Sequence, residues 1–265
     1  MNEYLIAVII GIVEGLTEFL PISSTGHMIL VGSLLGYEGE KASVFMVFIQ
    51  LGAILSVFIL YRDKFLRMMD VRRLTSTQGL SAWHVAAGIV PVMGIAFFLH
   101  KPIKTYLFST YTVIIGLVLG AIVMLVAEKV AKRPVTRDVE DMTLRQALFV
   151  GLFQILSLWP GFSRSGSTIA GGLLFGMSRT AAAEFSFIIA VPLMLVACLY
   201  DLLKILNKLN SSDLAMIAVG FVVAFVVAYA SIVWFLRFLN NRTLASFAYY
   251  RFVLAAVSYW WFFMR

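Results

Sequence analysis

The chain predicts an all-α integral membrane protein, and three observations carry that expectation. Of its 265 residues, 61% are hydrophobic and 13% charged, where a soluble domain carries about 25% charged residues. Several apolar runs approach the roughly 20 residues needed to cross a bilayer. The excess of basic residues, +7 net, gathers between the apolar runs as cytoplasmic loops do. It is therefore not a nucleic-acid signal, and a soluble domain is excluded. The single cysteine, Cys198, excludes an intrachain disulfide. No cleavable signal peptide is expected, because the N-terminus lacks a basic stretch and glutamates interrupt its first apolar run.

Residues 2–20 are apolar apart from Asn2, Glu3, Glu14, Thr17 and Glu18. Pro21 breaks a helix there, and Ser23-Ser24-Thr25-Gly26 reads as a polar turn. Residues 28–35 are a short apolar return ending at Gly36. Neither arm spans alone, so the pair predicts a re-entrant hairpin, tolerated only inside protein or beside a wet cavity. Residues 42–61 form the first full span. Residues 62–73 form a basic loop with Arg62, Lys64, Arg67, Arg72 and Arg73. A second span covers 82–99, kinked at Pro91, and His100-Lys101-Pro102 is read as a turn. A third covers 106–127, and 129–145 is polar. A second interrupted segment follows. Residues 146–158 are apolar around Gln154, residues 159–168 break the run, and 169–175 return. Spans four to six cover 181–203, 214–235 and 244–263.

A gapless shift of 140 residues superimposes polar and glycine positions: Gly11 on Gly151, Glu14 on Gln154, Thr17 on Ser157, Ser23 on Ser163, Gly26 on Gly166 and Gly36 on Gly176. The chain therefore reads as one membrane domain, 1–265, of two repeats. Repeat one is about 1–128, repeat two about 144–265, and a basic loop, 129–143, joins them. Each half is a re-entrant helical hairpin plus three transmembrane helices. Three is odd, so the halves have opposite orientations: an inverted-topology repeat, with the site between broken helices. Positive charge places the basic loops in the cytoplasm and both termini outside.

The two breaks hold the chemistry. Glu14 and Glu18, four apart, share one helix face, and a carboxylate pair suits a hard divalent cation. Ser23, Ser24, Thr25, Gly26 and His27 follow. The second break supplies Ser163, Arg164, Ser165, Gly166, Ser167 and Thr168. Arg164 is a permanent cation with geometry suited to phosphate or carboxylate. A Ser/Gly-rich turn opening a helix is an anion cradle. A serine three residues from a histidine is raw material for nucleophile and base. Cation site, cradle, nucleophile and base together read as phosphoryl transfer. Ionisable groups buried in a membrane are costly, which favours function over structure at the breaks. The bland reading is stronger elsewhere. His84 and His100 are taken as interfacial or packing residues, and Arg251 as a structural ion pair or a snorkelling side chain. Gln50 is equally an interhelical bond or a site residue. Glu184 is either a partner of the tips or a cap.

At these residues the chain resembles a known family. Residues 14–27, Glu-Gly-Leu-Thr-Glu-Phe-Leu-Pro-Ile-Ser-Ser-Thr-Gly-His, and 160–168, Pro-Gly-Phe-Ser-Arg-Ser-Gly-Ser-Thr, are similar to the two signatures of the bacterial undecaprenyl-diphosphate phosphatases, the BacA-type bacitracin-resistance proteins. The resemblance implies a multi-pass enzyme of the bacterial plasma (inner) membrane that cleaves undecaprenyl diphosphate to the monophosphate. This recycles the lipid carrier for peptidoglycan. It also implies a requirement for Mg2+ or Ca2+ and a site facing the extracytoplasmic side. The resulting assignment gives the metal to Glu14 and Glu18, and the phosphates to Arg164, the residues 163–168 and the first turn. Ser24 is the nucleophile with His27 as its base; attack by His27 itself, or by water that it activates, stays open. A lipid-phosphate flippase or anion transporter using the same site is the alternative. The partners are the prenyl diphosphate and membrane lipid; oligomeric state is left open, a homodimer included.

Overall fold

The computed structural model describes residues 2–68, 79–107, 109–205 and 211–265. Arg72 and Arg73 of the first basic loop, and the side chain of His100, lie outside the described residues. The described residues form eleven α-helices: α1 Glu3–Thr17, α2 Ser24–Leu35, α3 Glu40–Leu60, α4 Arg62–Met68, α5 Ala82–Tyr106, α6 Thr110–Val130, α7 Leu144–Gln154, α8 Arg164–Leu174, α9 Arg179–Ile205, α10 Ser211–Leu239 and α11 Ala245–Phe263. Short 3-10 helices cover Val139–Asp141 and Ile155–Leu158.

Five of these helices are long and apolar enough to cross a membrane: Ala42–Leu60, Ala82–Leu99, Thr110–Val130, Arg179–Tyr200 and Leu214–Leu239. The expected sixth span is α11. Its 19 residues could cover about 28 Å, but Tyr249, Tyr250, Arg251, Ser258 and Tyr259 dilute its apolar character. The turn expected at His100-Lys101-Pro102 is not formed. Helix α5 runs through both Pro91 and Pro102, since the fixed proline φ suits a helix and each ring removes one backbone bond. The third span consequently starts at Thr110, where the Ser109 side chain accepts from the Thr112 N–H.

Two interruptions shape the interior. Helix α1 stops before Pro21, and α2 begins after Ser23, whose φ of 69° is left-handed. Helix α7 passes into its 3-10 turn and stops, and α8 begins after Ser163 at φ 74°. These are the two non-glycine residues with positive φ among those described. Each serine caps its helix by accepting from the glycine N–H three residues on, Gly26 at 3.3 Å and Gly166 at 3.2 Å.

The short arms pack on long helices: α1 on α10, and α7 on α5. Small residues allow that approach. A Cβ on Gly11 would lie 2.9 Å from the Gly220 carbonyl oxygen, and one on Gly151 would lie 2.8 Å from that of Gly88. Helix α9 lies against both α3 and α8, and its Phe187 joins Phe235 of α10 in the main core.

Several polar residues outside the breaks now have positions. Arg251 is fully buried and pairs with no carboxylate among the described residues. It donates instead to the carbonyls of Gly116 (3.1 Å), Leu117 (3.2 Å), Gly161 (2.9 Å) and Phe162 (2.9 Å). This corrects the ion-pair and snorkelling readings: the guanidinium fastens the second break to α6. Close packing of α11 on α6 brings it there and encloses it fully, so the side chain does not extend to the protein surface as a snorkelling residue does. His84 caps α5 through Ser81. Gln50 faces Cys198 across the α3–α9 contact, 3.7 Å away. Glu184 lies 3.9 Å from Lys64, among the basic-loop residues rather than at the breaks. There Glu140 accepts from Lys64 (3.1 Å), Arg67 (3.3 Å) and the Leu80 N–H (3.1 Å).

Candidate active site

The breaks meet at Glu18. It follows α1 directly, so its side chain points into the gap that Pro21 opens. Ser24, the first residue of α2, donates its hydroxyl to Glu18 Oε2 at 2.6 Å. Arg164, the first residue of α8, donates to Glu18 Oε1 at 3.2 Å. One carboxylate thus bridges residues 6 and 146 positions away. The Glu18 and Arg164 side chains are 6% and 11% exposed, so this ion pair is shielded from water. A second link crosses the gap: Ser165 Oγ donates to the Leu20 carbonyl at 2.9 Å. Arg164 is held further by the Ser186 carbonyl of α9, at 3.1 Å, and its guanidinium carbon stands 5.5 Å from the centre of the Phe19 ring.

Two polar atoms in this enclosure have no protein partner. They are Glu14 Oε1, an acceptor, and Arg164 Nε, a donor. The Glu14 carboxyl lies against that of Glu18. A buried group without a partner costs about 1–3 kcal/mol, so a spare acceptor and a spare donor in one site are poised for a ligand. The backbone adds donors, since the first N–H groups of a helix lack intrahelical acceptors. Here these belong to Ser24 and Thr25 of α2, and to Arg164 and Ser165 of α8. Thr25 is exposed and Ser24 half-buried, so the first break is the open side.

His27 does not contact Ser24 as expected. Its Nδ1 lies 2.8 Å from the Ser23 carbonyl and its Nε2 lies 2.8 Å from the Tyr250 hydroxyl. A carbonyl only accepts, so Nδ1 carries a proton and donates to Ser23, and Nε2 faces the Tyr250 hydroxyl. The rings stack 5.6 Å apart. The reason is local: Ser23 stands four residues before His27, where a helical side chain meets a carbonyl. Ser24 faces the carboxylate, a stronger acceptor than neutral imidazole.

The expected hydroxyl cradle is also redistributed. Ser23 and Ser163 cap their helices. Ser167 Oγ donates to the Ser163 carbonyl at 2.7 Å. Thr168 Oγ1 donates to the Arg164 carbonyl at 2.9 Å and touches Ser186 Oγ at 2.7 Å. At the start of a helix, i−4 carbonyls compete for such hydroxyls. The groups left for an anion are Arg164, the free N–H groups, Ser24 and the exposed Thr25. Gln154, which the 140-residue offset places on Glu14, is fully buried and donates to the Gly88 carbonyl at 3.2 Å. Sequence reasoning missed Tyr250 and Ser186. Each is one hydroxyl among several in its helix, and no local pattern marks it.

Among the described residues, no three histidine, cysteine or acidic side chains cluster as a ready metal cage. Glu14 and Glu18 still fit a hard cation that keeps waters and shares substrate oxygens, as magnesium does. Glu14 Oε1 is open, and the Glu18 oxygens have lone pairs beyond their two bonds.

Fold and site define a polytopic helical membrane protein with a charged, buried centre between two broken helices. The chain belongs to the family described as "Bacitracin resistance protein BacA", whose model matches residues 7–257. It is 50% identical to "Undecaprenyl-diphosphatase 1" of Bacillus thuringiensis (strain Al Hakam), over 96% of this chain and 97% of that protein. Proteins of the same name from Bacillus cereus and Bacillus anthracis match at the same identity and coverage.

Proposed function

We propose that this chain hydrolyses undecaprenyl diphosphate to undecaprenyl phosphate and inorganic phosphate, recycling the carrier lipid and conferring bacitracin resistance. The observation that carries this reading is the pair of unpartnered atoms, Glu14 Oε1 and Arg164 Nε, flanking the Ser24–Glu18–Arg164 chain. Such a site accepts a cation and an anion together, as a metal-bound diphosphate requires. No observation favours the transporter reading.

Arg164 and the N–H groups opening α2 and α8 hold the phosphates and stabilise the charge that develops on them. Ser24 Oγ attacks the distal phosphorus and passes its proton to Glu18. The new Oγ–P bond replaces the bond to the bridging oxygen, and the lipid phosphate leaves as a stable anion. Water then cleaves the phosphoserine, releases inorganic phosphate and restores the hydroxyl. His27 holds the Ser23 carbonyl, and with it the geometry of the turn that presents Ser24. Glu14 and Glu18 would hold a Mg2+ or Ca2+ ion, which would further neutralise the diphosphate.

The inverted repeat and re-entrant hairpins belong to the same proposal. Their support is the matched left-handed serines, their matched glycine partners, and the parallel seating of α1 on α10 and α7 on α5. Under the positive-inside rule the substrate enters from the extracytoplasmic side of the plasma membrane, where both termini also lie.

The test is phosphate release from the lipid diphosphate by purified protein with divalent metal, followed by trapping of a phosphoenzyme. Turnover with a phosphoserine at Ser24 is expected. An absence of turnover on all prenyl diphosphates defeats the enzyme reading. An active Ser24→Ala variant defeats the serine mechanism alone.

A further inference from the structure

We propose a second anion site, specific for a phosphate group, in the cavity beside the basic linker. This cavity has a volume of about 480 Å³ and is bounded by Lys132, Arg137, Arg179 and Glu128. That size lies within the roughly 300–1,000 Å³ of small-molecule sites. Leu173, in the last turn of α8, also borders it. Helix α8 begins in the candidate active site, and its 11 residues rise about 16 Å, so the two places are separate.

Charge selects the ligand. Glu128 is the one carboxylate lining the cavity, and it is already committed. Arg179 grips it with two bonds, Nε to Oε1 at 2.8 Å and Nη2 to Oε2 at 2.6 Å. The Leu244 N–H adds a third at 2.7 Å. Lys132 and Arg137 take part in no ion pair among the described residues. The cavity wall therefore carries two uncompensated cations and no competing anion.

The wall is also braced. The Val135 and Thr136 N–H groups donate to the Gly176 carbonyl at 2.9 and 3.1 Å, and the Ser178 N–H donates to the Thr136 carbonyl at 2.8 Å. Ser178 Oγ donates to the Arg137 carbonyl at 3.1 Å. The backbone of Arg137 is thus fixed against the start of α9, so part of the ordering cost of binding is already met. A phosphate group can come from an anionic phospholipid headgroup or from free phosphate, and the chemistry is the same.

Thermal unfolding of the full chain in an uncharged detergent tests this, because a ligand that binds the folded state raises the melting point. Dioctanoyl phosphatidylglycerol and inorganic phosphate are titrated separately, with zwitterionic dioctanoyl phosphatidylcholine as control. Both side chains are exposed, so Lys132→Gln/Arg137→Gln should melt like the parent without ligand. Losing both exposed cations should weaken binding up to roughly 30-fold, the upper range for two exposed ion pairs. The charge-preserving pair Lys132→Arg/Arg137→Lys should stay within about threefold of the parent. A difference seen with phosphatidylglycerol alone assigns a lipid headgroup; one seen with phosphate as well assigns the phosphate group itself. Any response left in the neutral variant belongs to the other site. Equal affinity of parent and neutral variant for both anions overturns the proposal. So does a response to phosphatidylcholine as large as that to phosphatidylglycerol.

Discussion

Glu18→Gln is the sharpest probe of the proposed chemistry. The substitution keeps the shape and an oxygen that still accepts from Ser24, but an amide cannot take the proton. The 2.6 Å contact between Ser24 Oγ and Glu18 Oε2 is the only hydrogen bond the Ser24 hydroxyl makes among the described residues. General-base assistance is worth about 100- to 10,000-fold in rate, or roughly 3–5 kcal/mol at 1.36 kcal/mol per tenfold. The same change removes the charge opposite Arg164, at 3.2 Å; Arg164 keeps its bonds to Ser186, so the fold should survive in detergent. The assay is initial-rate phosphate release from the lipid diphosphate at saturating metal, with a melting curve as the folding control. Glu18 and Ser24 act as a unit, so Glu18→Gln/Ser24→Ala should lose no more than the worse single variant. The reasoning fails if Glu18→Gln turns over within threefold of the parent, or if the two losses multiply. Recovery of Glu18→Gln by a large excess of metal also refutes the proton role and leaves only a ligand role.

Tyr250→Phe keeps the ring stacked on His27 and deletes one neutral hydrogen bond, worth about 0.5–1.5 kcal/mol. Turnover should fall about two- to tenfold, and Tyr250→Phe/His27→Gln should be no worse than His27→Gln alone; a further drop in the double variant refutes the pairing. Arg251→Leu strips the loop carbonyls of Gly161 and Phe162 of their donor at about 1–3 kcal/mol each, and removes the tie to the α6 carbonyls of Gly116 and Leu117. It should yield little monodisperse protein on size exclusion, and a parental yield and melting point would contradict the fastening role. Burial raises the Glu140 carboxyl, but hydrogen bonds from Lys64 and the Leu80 N–H and the charges of Lys64 and Arg67 outweigh it, holding the group below its usual value. The stability it contributes is present above the ordinary carboxylate range near 4.3 and is lost as pH falls through the lower folded value. Glu140→Gln should therefore melt below the parent at pH 7, with the gap closing below about pH 4; a gap independent of pH refutes this.

Much of the architecture was legible because it rests on local rules. Apolar runs mark the helices, Pro21 and the 159–163 stretch mark the breaks, and the 140-residue offset marks Ser23 and Ser163 as counterparts. The left-handed φ at both serines agrees with that pairing. Costly charges in an apolar chain singled out Glu14, Glu18, Arg164 and His27 without any coordinates. The failures share one cause. Local breakers point to a turn at His100-Lys101-Pro102, yet a proline ring alone does not end a helix. A spacing of three suggests a Ser24–His27 contact, yet spacing names neighbours and not the stronger acceptor nearby.

The sequence by itself determined that the chain is membrane-embedded, where its two breaks fall, and which ionisable groups they carry. Hydropathy, proline and charge act over a few residues, so those features survive without a fold. Only the tertiary structure decided partners. Glu18 joins Ser24 to Arg164 because α1, α2 and α8 converge, with Arg164 146 positions along the chain. His27 meets Tyr250 across 223 positions, and Arg251 reaches the second break because α11 packs on α6. Hydrogen bonds form only within about 3 Å, and at that range partners depend on how distant helices seat against one another.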